Sequence, residues 1–435
     1  MKIKESDRDI PHHLTKYDIN VRAAMFAVVL SIFIDVLGYS LVLPLLPGIA
    51  KTFGASDLLV GIIISSNAFT ALIAAPLWGR ASDKYGRKPL LMIAQAGTLV
   101  AFLLLGISNS LFMIFFSRIL DGLMGGQMPI IKAFITDITT PQTRTSEIGK
   151  ITVGASLGMI LGPTIGGLLG VLDWRYPAFV ASSLSIFSIL LTWKVLIESM
   201  PKDRRKDIQI ALISRKSDVQ NIKKNGFWSG TLILRMLQRL MAFLITVMFN
   251  SSLALVIDKR YNGGPEVIGL IMTVGGTAAI FYGGYLMRRL IRKVGEKKVF
   301  IFTVSLITTI PLIYPFLFEL WTVFIFVLPF AFCMAFMPAL IQANIVKAVD
   351  PDKQGRVSGW STNVQSIAQT IAPLIATWFL QIGGFSFGFI NLNSYDLIGF
   401  TSTLFGVTLI VLSFIDLRRN PDLYSYESQF NREKK

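Results

Sequence analysis

Long apolar runs alternate with short polar connections from residue 22 to residue 417. Leu58–Trp78 and Pro89–Ile107 carry no charge, and each is long enough to cross a bilayer, which needs about 20 apolar residues. Lipid offers the backbone no hydrogen-bond partners, so such runs must be helices, and two in close succession form a hairpin. The pattern predicts twelve spans, over 22–47, 58–78, 89–108, 111–136, 148–171, 177–197, 229–257, 266–287, 298–317, 321–347, 356–382 and 396–417. The expected fold class is an all-α membrane protein with twelve transmembrane helices in two six-helix bundles. The expected organisation is a cytoplasmic tail (1–21), a first bundle (22–197), a cytoplasmic linker (198–228), a second bundle (229–417) and a cytoplasmic C-terminal tail (418–435).

The two halves look related. Gly61 and Gly269 open equivalent spans 208 residues apart, and Gly86 and Gly295 mark equivalent turns 209 apart. Pro141-x7-Gly149 and Pro351-x7-Gly359 introduce the fifth and eleventh spans 210 apart. A duplicated six-span unit implies a cavity between copies near the bilayer midplane, the architecture of a transporter.

Composition agrees: 53% of residues are hydrophobic and only 16% are charged, against about 25% in soluble domains. The net charge of +16 would fit a nucleic-acid binder, but its placement argues otherwise. Lys51, Arg175, Lys259 and Arg260 are the basic residues of the connections assigned to the outside; the remainder concentrate in the other connections and the tails. That asymmetry sets topology, with both termini cytoplasmic and no nucleic-acid partner expected. The polar first twenty residues lead to the expectation of no cleavable signal peptide before the first span, and the single cysteine, Cys333, permits no internal disulfide. The two histidines, His12 and His13, fall in the N-terminal tail, leaving few catalytic constellations, and no Gly-x4-Gly-Lys-[Ser/Thr] loop occurs. Neither an enzyme nor an ATP-driven pump is expected.

Charges inside the spans are the candidates for chemistry. Asp35 lies thirteen residues beyond Arg22, roughly 20 Å along a helix. An ionised carboxylate there costs at least ~2.5–3.5 kcal/mol unless it finds a partner, which suits a group that takes up and releases a proton. Arg118 and Asp121 stand three apart on one face of the fourth span and complete the proton-coupling set. Lys132, Arg235 and Arg239 lie near span ends, where they can snorkel, and receive no functional role. The fifth span carries a glycine stripe, Gly158, Gly162, Gly166 and Gly167, with Pro163 inside it, suited to close helix approach. Asn67, Gln95, Gln127, Asn250, Gln342, Asn363 and Gln365 are the candidate solute contacts, each also able to serve as an interhelical hydrogen bond.

Together these residues resemble the major facilitator superfamily, in particular its twelve-span drug:proton antiporters of the tetracycline-exporter kind. Gly79-x3-Asp83-x2-Gly86-Arg87-Lys88 resembles the superfamily loop motif, and Gly158-x3-Gly162-Pro163-x2-Gly166-Gly167 the antiporter motif. Asp35 with Leu43-Pro44, Arg118-x3-Gly122, Ala133–Asp137 and Glu198-Ser-Met-Pro add to the likeness. The resemblance implies the major facilitator fold and a conformational latch of Gly79, Asp83, Gly86, Arg87, Lys88 and Asp137. Asp83 would face the start of the eleventh helix, and Arg87 would link Asp83 to Asp137. Arg292 stands where the second half would repeat Asp83, so the latch is expected on one side only. The implied activity is export of an amphipathic organic solute in exchange for protons, by a monomer in the cell membrane. It uses the proton gradient and no cofactor or metal. The alternative is a proton-coupled symporter or facilitator for a sugar or other metabolite.

Overall fold

The computed structural model describes residues 21–200, 229–349, 354–387 and 390–421. The N-terminal tail, almost all of the central linker and most of the C-terminal tail lie outside them. The first half runs α1 (Val21–Val42), α2 (Leu46–Thr52), α3 (Asp57–Tyr85), α4 (Arg87–Gly106), α5 (Leu111–Met124), α6 (Gln127–Ile138), α7 (Pro141–Leu172) and α8 (Tyr176–Val195). The second half follows with α9 (Gly230–Tyr261), α10 (Pro265–Ile280), a π-helical turn (Phe281–Leu286), α11 (Met287–Val294) and α12 (Glu296–Ile313). Then come α13 (Leu320–Lys347), α14 (Gln354–Ile382), strands β1 (Gly384–Phe387) and β2 (Ile390–Asn393), and α15 (Ser394–Arg419).

Helices form wherever the charge-free runs predict them, and ten among the described residues are long and apolar enough to cross a membrane. Large apolar side chains such as Phe26, Phe112 and Leu172 stand mostly exposed, as a lipid-facing surface requires.

The structure redraws several boundaries. The predicted charged loop Gly79–Lys88 is almost entirely helical; α3 runs through to Tyr85, and Gly86 alone separates it from α4. Gly86 adopts φ 107°, ψ 154°, and Gly295, at the equivalent turn, adopts φ 91°, ψ 147°. Only glycine enters that region without strain, so one residue can reverse the chain. The predicted fourth span is two helices, α5 and α6, interrupted at Gly125–Gly126, where no side chain supports the helical backbone. The eighth span continues past residue 287 to Val294 through the π-helical turn, a geometry frequent at functional sites. Gly383–Tyr395, expected as a loop, contains a two-stranded antiparallel ribbon pairing Gly384 with Asn393 and Phe387 with Ile390. Asn393 then caps α15 through a reciprocal capping box with Asp396.

Two compact units emerge. Of the described residues, the first takes in those up to Leu45 and from Thr70 to Met200, the second Leu46–Phe69 and those from Ser229 onward. In the first, Ala24, Val28 and Ile32 of α1, Leu91 of α4, Phe134 and Ile138 of α6 and Ile151 of α7 form a buried core. In the second, Phe249 of α9 meets Phe330 of α13 at 4.2 Å between ring centroids, with Tyr314 and Phe326 alongside. These rings and Ile398 of α15 line a small apolar pocket, with room for little more than a water molecule.

Candidate functional site

α1 is fixed in the first unit by the glycine stripe of α7. A methyl group added at Gly154 would stand 3.0 Å from the Val29 carbonyl oxygen. One at Gly158 would stand 2.7 Å from the Phe33 carbonyl oxygen and 2.8 Å from the Leu37 amide nitrogen. At Gly162 and Gly166 it would collide with Ser40 and with the Leu41 backbone. Ser40 donates its hydroxyl to the Gly158 carbonyl at 2.8 Å, stitching the two backbones. Pro163 lies inside an uninterrupted α7, and Gly167 is buried with Gly166.

This packing presents Asp35 to a polar cluster. Gln95 of α4 donates its amide to Ser31 of α1 (2.8 Å) and to Ser188 of α8 (2.9 Å), and the two serine hydroxyls share a 2.8 Å hydrogen bond. Ser31, Gln95 and Ser188 are shut off from solvent. Ser188 and Gln95 are the side chains turned toward Asp35. Both carboxylate oxygens of Asp35 and the Gln95 carbonyl oxygen are buried with no donor in hydrogen-bonding geometry. On α5, buried Arg118 and Asp121 stand 3.5 Å apart, with Arg118 over the Phe102 ring at 5.5 Å. Asp121 lies within electrostatic range of Asp35, and both Arg118 and Asp121 within range of Tyr39, one turn further along α1.

A second network closes one end of this unit. Buried Arg87, the first residue of α4, pairs with Asp83 (2.6 Å) across Gly86 and with buried Asp137 (3.0 Å) near the end of α6. It also donates to the Ser82 hydroxyl at 2.6 Å. The segment after α8 joins in: Glu198 accepts from the amides of Arg87 and Met200, both at 2.9 Å, and Ser199 donates to Asp137 at 3.1 Å. Lys88 donates to the Trp193 carbonyl at 2.7 Å. A methyl group at Gly79 would meet only open space.

The second unit holds a matching pair. Glu296, first residue of α12, pairs with Lys347, last residue of α13, at 2.8 and 2.9 Å. These residues lie 209 and 210 positions beyond Arg87 and Asp137, with the charges exchanged. The expectation of a one-sided arrangement, drawn from Arg292, missed this pair.

The uncharged candidates separate. Gln95 belongs to the Asp35 cluster, and Gln127, at the start of α6, donates to Thr98 at 3.2 Å. Asn67, Asn250, Gln342, Asn363 and Gln365 belong to the second unit, where Gln342 and Gln365 converge on one side chain, Arg239. Arg239 and Arg235 do not snorkel; both are buried. Arg235 makes a forked ion pair with Asp416 of α15, at 3.0 and 3.2 Å, and donates to the Asn344 carbonyl. Their position near a span end suggested that they reach water, but the helix instead packs both into the bundle.

Long apolar helices carrying buried charges define a membrane transport protein. The chain belongs to the Major Facilitator Superfamily, whose profile matches residues 28–373 and, in a second match, 235–422. Among curated proteins it is 28% identical to the class H tetracycline resistance protein of Pasteurella multocida, over 81% of this chain and 88% of that protein. It is also 28% identical to multidrug resistance protein 2 of Bacillus subtilis, over 65% and 70% of the two chains. Among solved structures, the human organic anion transporter MFSD10 superposes with a TM-score of 0.66 at 20% identity, covering 91% of this chain and all of that one. The last likeness shows the fold. The protein is an integral membrane transporter, not an enzyme.

Proposed function

We propose that the protein exports an amphipathic organic solute in exchange for protons, as a monomer that draws on the proton gradient and needs no cofactor. The observation that carries the reading is the donor deficit around Asp35. Three buried acceptor atoms, two on Asp35 and one on Gln95, complete no hydrogen bond although Ser188 and Gln95 stand beside the carboxylate, and a proton on Asp35 converts one acceptor into a donor. Proton uptake there changes the hydrogen bonding between α1, α4 and α8, the rearrangement a carrier needs in order to respond to protonation. Arg118 and Asp121, within electrostatic reach, bias that exchange. The Arg87 network is the conformational latch. Relatives named for tetracycline and multidrug resistance support export as the direction. The excess of basic residues in one set of connections supports two cytoplasmic termini, in a protein of the cell membrane.

The test uses proteoliposomes with an imposed pH gradient and an internal pH-sensitive dye, comparing wild type with Asp35→Asn. Solute addition should release protons in wild type, and the variant should fold but lose the coupling. Solute flux that ignores the gradient and survives in Asp35→Asn would defeat the proposal. Solute and protons moving in the same direction would replace export with symport.

A further inference from the structure

Arg235 and Arg239 sit one turn apart on α9, and the protein treats them differently. Arg235 is neutralised by Asp416. Arg239 is only 7% exposed, yet its acceptors are all uncharged: the Ser361 carbonyl (3.0 Å), the Gln342 side-chain oxygen (3.0 Å) and the Gln365 side-chain oxygen (3.3 Å). Among the described residues no carboxylate pairs with it. A guanidinium cannot shed its proton to escape burial, so a buried one needs a counter-charge to offset its lost hydration. Three of its five N–H donors are used, which leaves one on each terminal nitrogen for a further acceptor.

The surroundings are preorganised for that role. Ser361 donates its hydroxyl to the Gln342 oxygen at 2.7 Å, and the Gln342 amide reaches Ser358 at 3.4 Å, so the acceptors around Arg239 are themselves held. Phe243 lies 4.9 Å from the guanidinium carbon. Phe243, Thr246 and Asn250 continue the Arg239 face at helical spacing and stay half-buried, whereas Leu244, Ile245, Met248 and Phe249 are fully buried. One face of α9 therefore offers a cation, then an aromatic ring, then two polar groups.

We propose that Arg239, oriented by Gln342, Gln365 and Ser361, receives the anionic group of the transported solute, so that the substrates are aromatic carboxylates rather than cations. This rests on the transport reading above and deepens it. Empty, the site is an uncompensated cation; loaded, it is an ion pair. Substrate binding thereby gains a differential affinity between states in which those two donors are open and closed to it.

The experiment measures proteoliposome transport of matched pairs with the same ring system and opposite charge: 2-naphthoate against 2-naphthylmethylammonium, and the corresponding three-ring acids and amines. Wild type should move the carboxylates with apparent affinity at least about 10-fold above the paired amines. Arg239→Gln should cost the carboxylates about 10–100-fold more than it costs the amines, the worth of a charge-assisted hydrogen bond or two. Arg239→Lys should recover part of the loss.

Amines moved in preference to carboxylates by wild type would overturn the anion assignment while leaving solute–proton exchange standing. No movement of either member of any pair, with no proton flux, would bring down the transport reading itself. Arg239→Gln lowering both members equally, together with the melting temperature, would reduce Arg239 to a helix cross-link and overturn the assignment. Melting raised by chloride through Arg239, with no preference between paired solutes, would give the site to an inorganic anion. If Arg239→Gln does not fold, the wild-type preference within each pair decides.

Discussion

Gly158→Ala tests whether contact between α1 and α7 positions the buried carboxylate. The added methyl would lie 2.7 Å from the Phe33 carbonyl oxygen and 2.8 Å from the Leu37 amide nitrogen, both backbone atoms that cannot swing aside. Restoring a contact of about 3.5 Å requires α1 to retreat by about 0.8 Å. Asp35 lies midway between Phe33 and Leu37 and must travel with them. Such a shift would take the Ser31–Ser188 bond from 2.8 Å beyond hydrogen-bonding range, or press the pair together. Overpacking of this kind costs about 1–3 kcal/mol, read as a fall of about 1–3 °C in the melting temperature of a chain of this length. Misplacement approaching 1 Å costs up to about 100-fold where geometry governs a reaction, so proton-coupled flux should fall by at least about 10-fold. The control is Gly149→Ala on the same helix, where a methyl meets nothing within 4 Å and a helix-favouring residue should leave melting and coupling intact or slightly improved. Wild-type melting and coupling in Gly158→Ala would refute the reasoning.

Two further outcomes follow from the buried ion pairs. Asp416→Asn leaves Arg235 fully buried beside a neutral amide and should cost about 3–5 kcal/mol, whereas Arg235→Met with Asp416→Leu should recover most of it; thermal melting of the two variants checks both. Asp137→Asn should destabilise far more than Asp83→Asn, because Asp137 is buried against Arg87 while Asp83 is half exposed and screened; equal melting shifts would contradict the geometry.

Much of the fold was legible because lipid makes a severe demand: a charge-free run of 20 residues has almost no alternative to a helix. The break at Gly125–Gly126 was hidden by apolar residues on both sides, which continue the run even though the helix stops. Asp35 stood out because a lone carboxylate in an apolar run is expensive, but its neighbours Ser31 and Ser188 are ordinary residues whose meeting depends on packing 157 positions apart. Arg235 and Arg239 were misjudged for the same reason. A basic residue near a span end looks able to reach water, and nothing local signals that Asp416, 181 positions away, answers one and leaves the other. Glu296 and Lys347 could have been found by applying the 209-residue offset to Arg87 and Asp137 with the charges reversed.

That reversal makes the two ion pairs unequal in a way their lengths do not show. Every helix carries partial positive charge at its start and partial negative charge at its end, worth about 0.3–1 kcal/mol to a side-chain charge placed there. Glu296 begins α12 and Lys347 ends α13, so both sit in the favourable field of their own helices. Arg87 begins α4 and Asp137 lies in the last turn of α6, so both sit against theirs. The first pair is sprung: separating its members relieves two adverse fields, and Asp83, Glu198 and Ser199 supply the extra contacts that hold it shut. The second pair is bolted, since parting it forfeits its bond without any such relief. One exchange of signs thus sets one ion pair against its helix dipoles and the other with them.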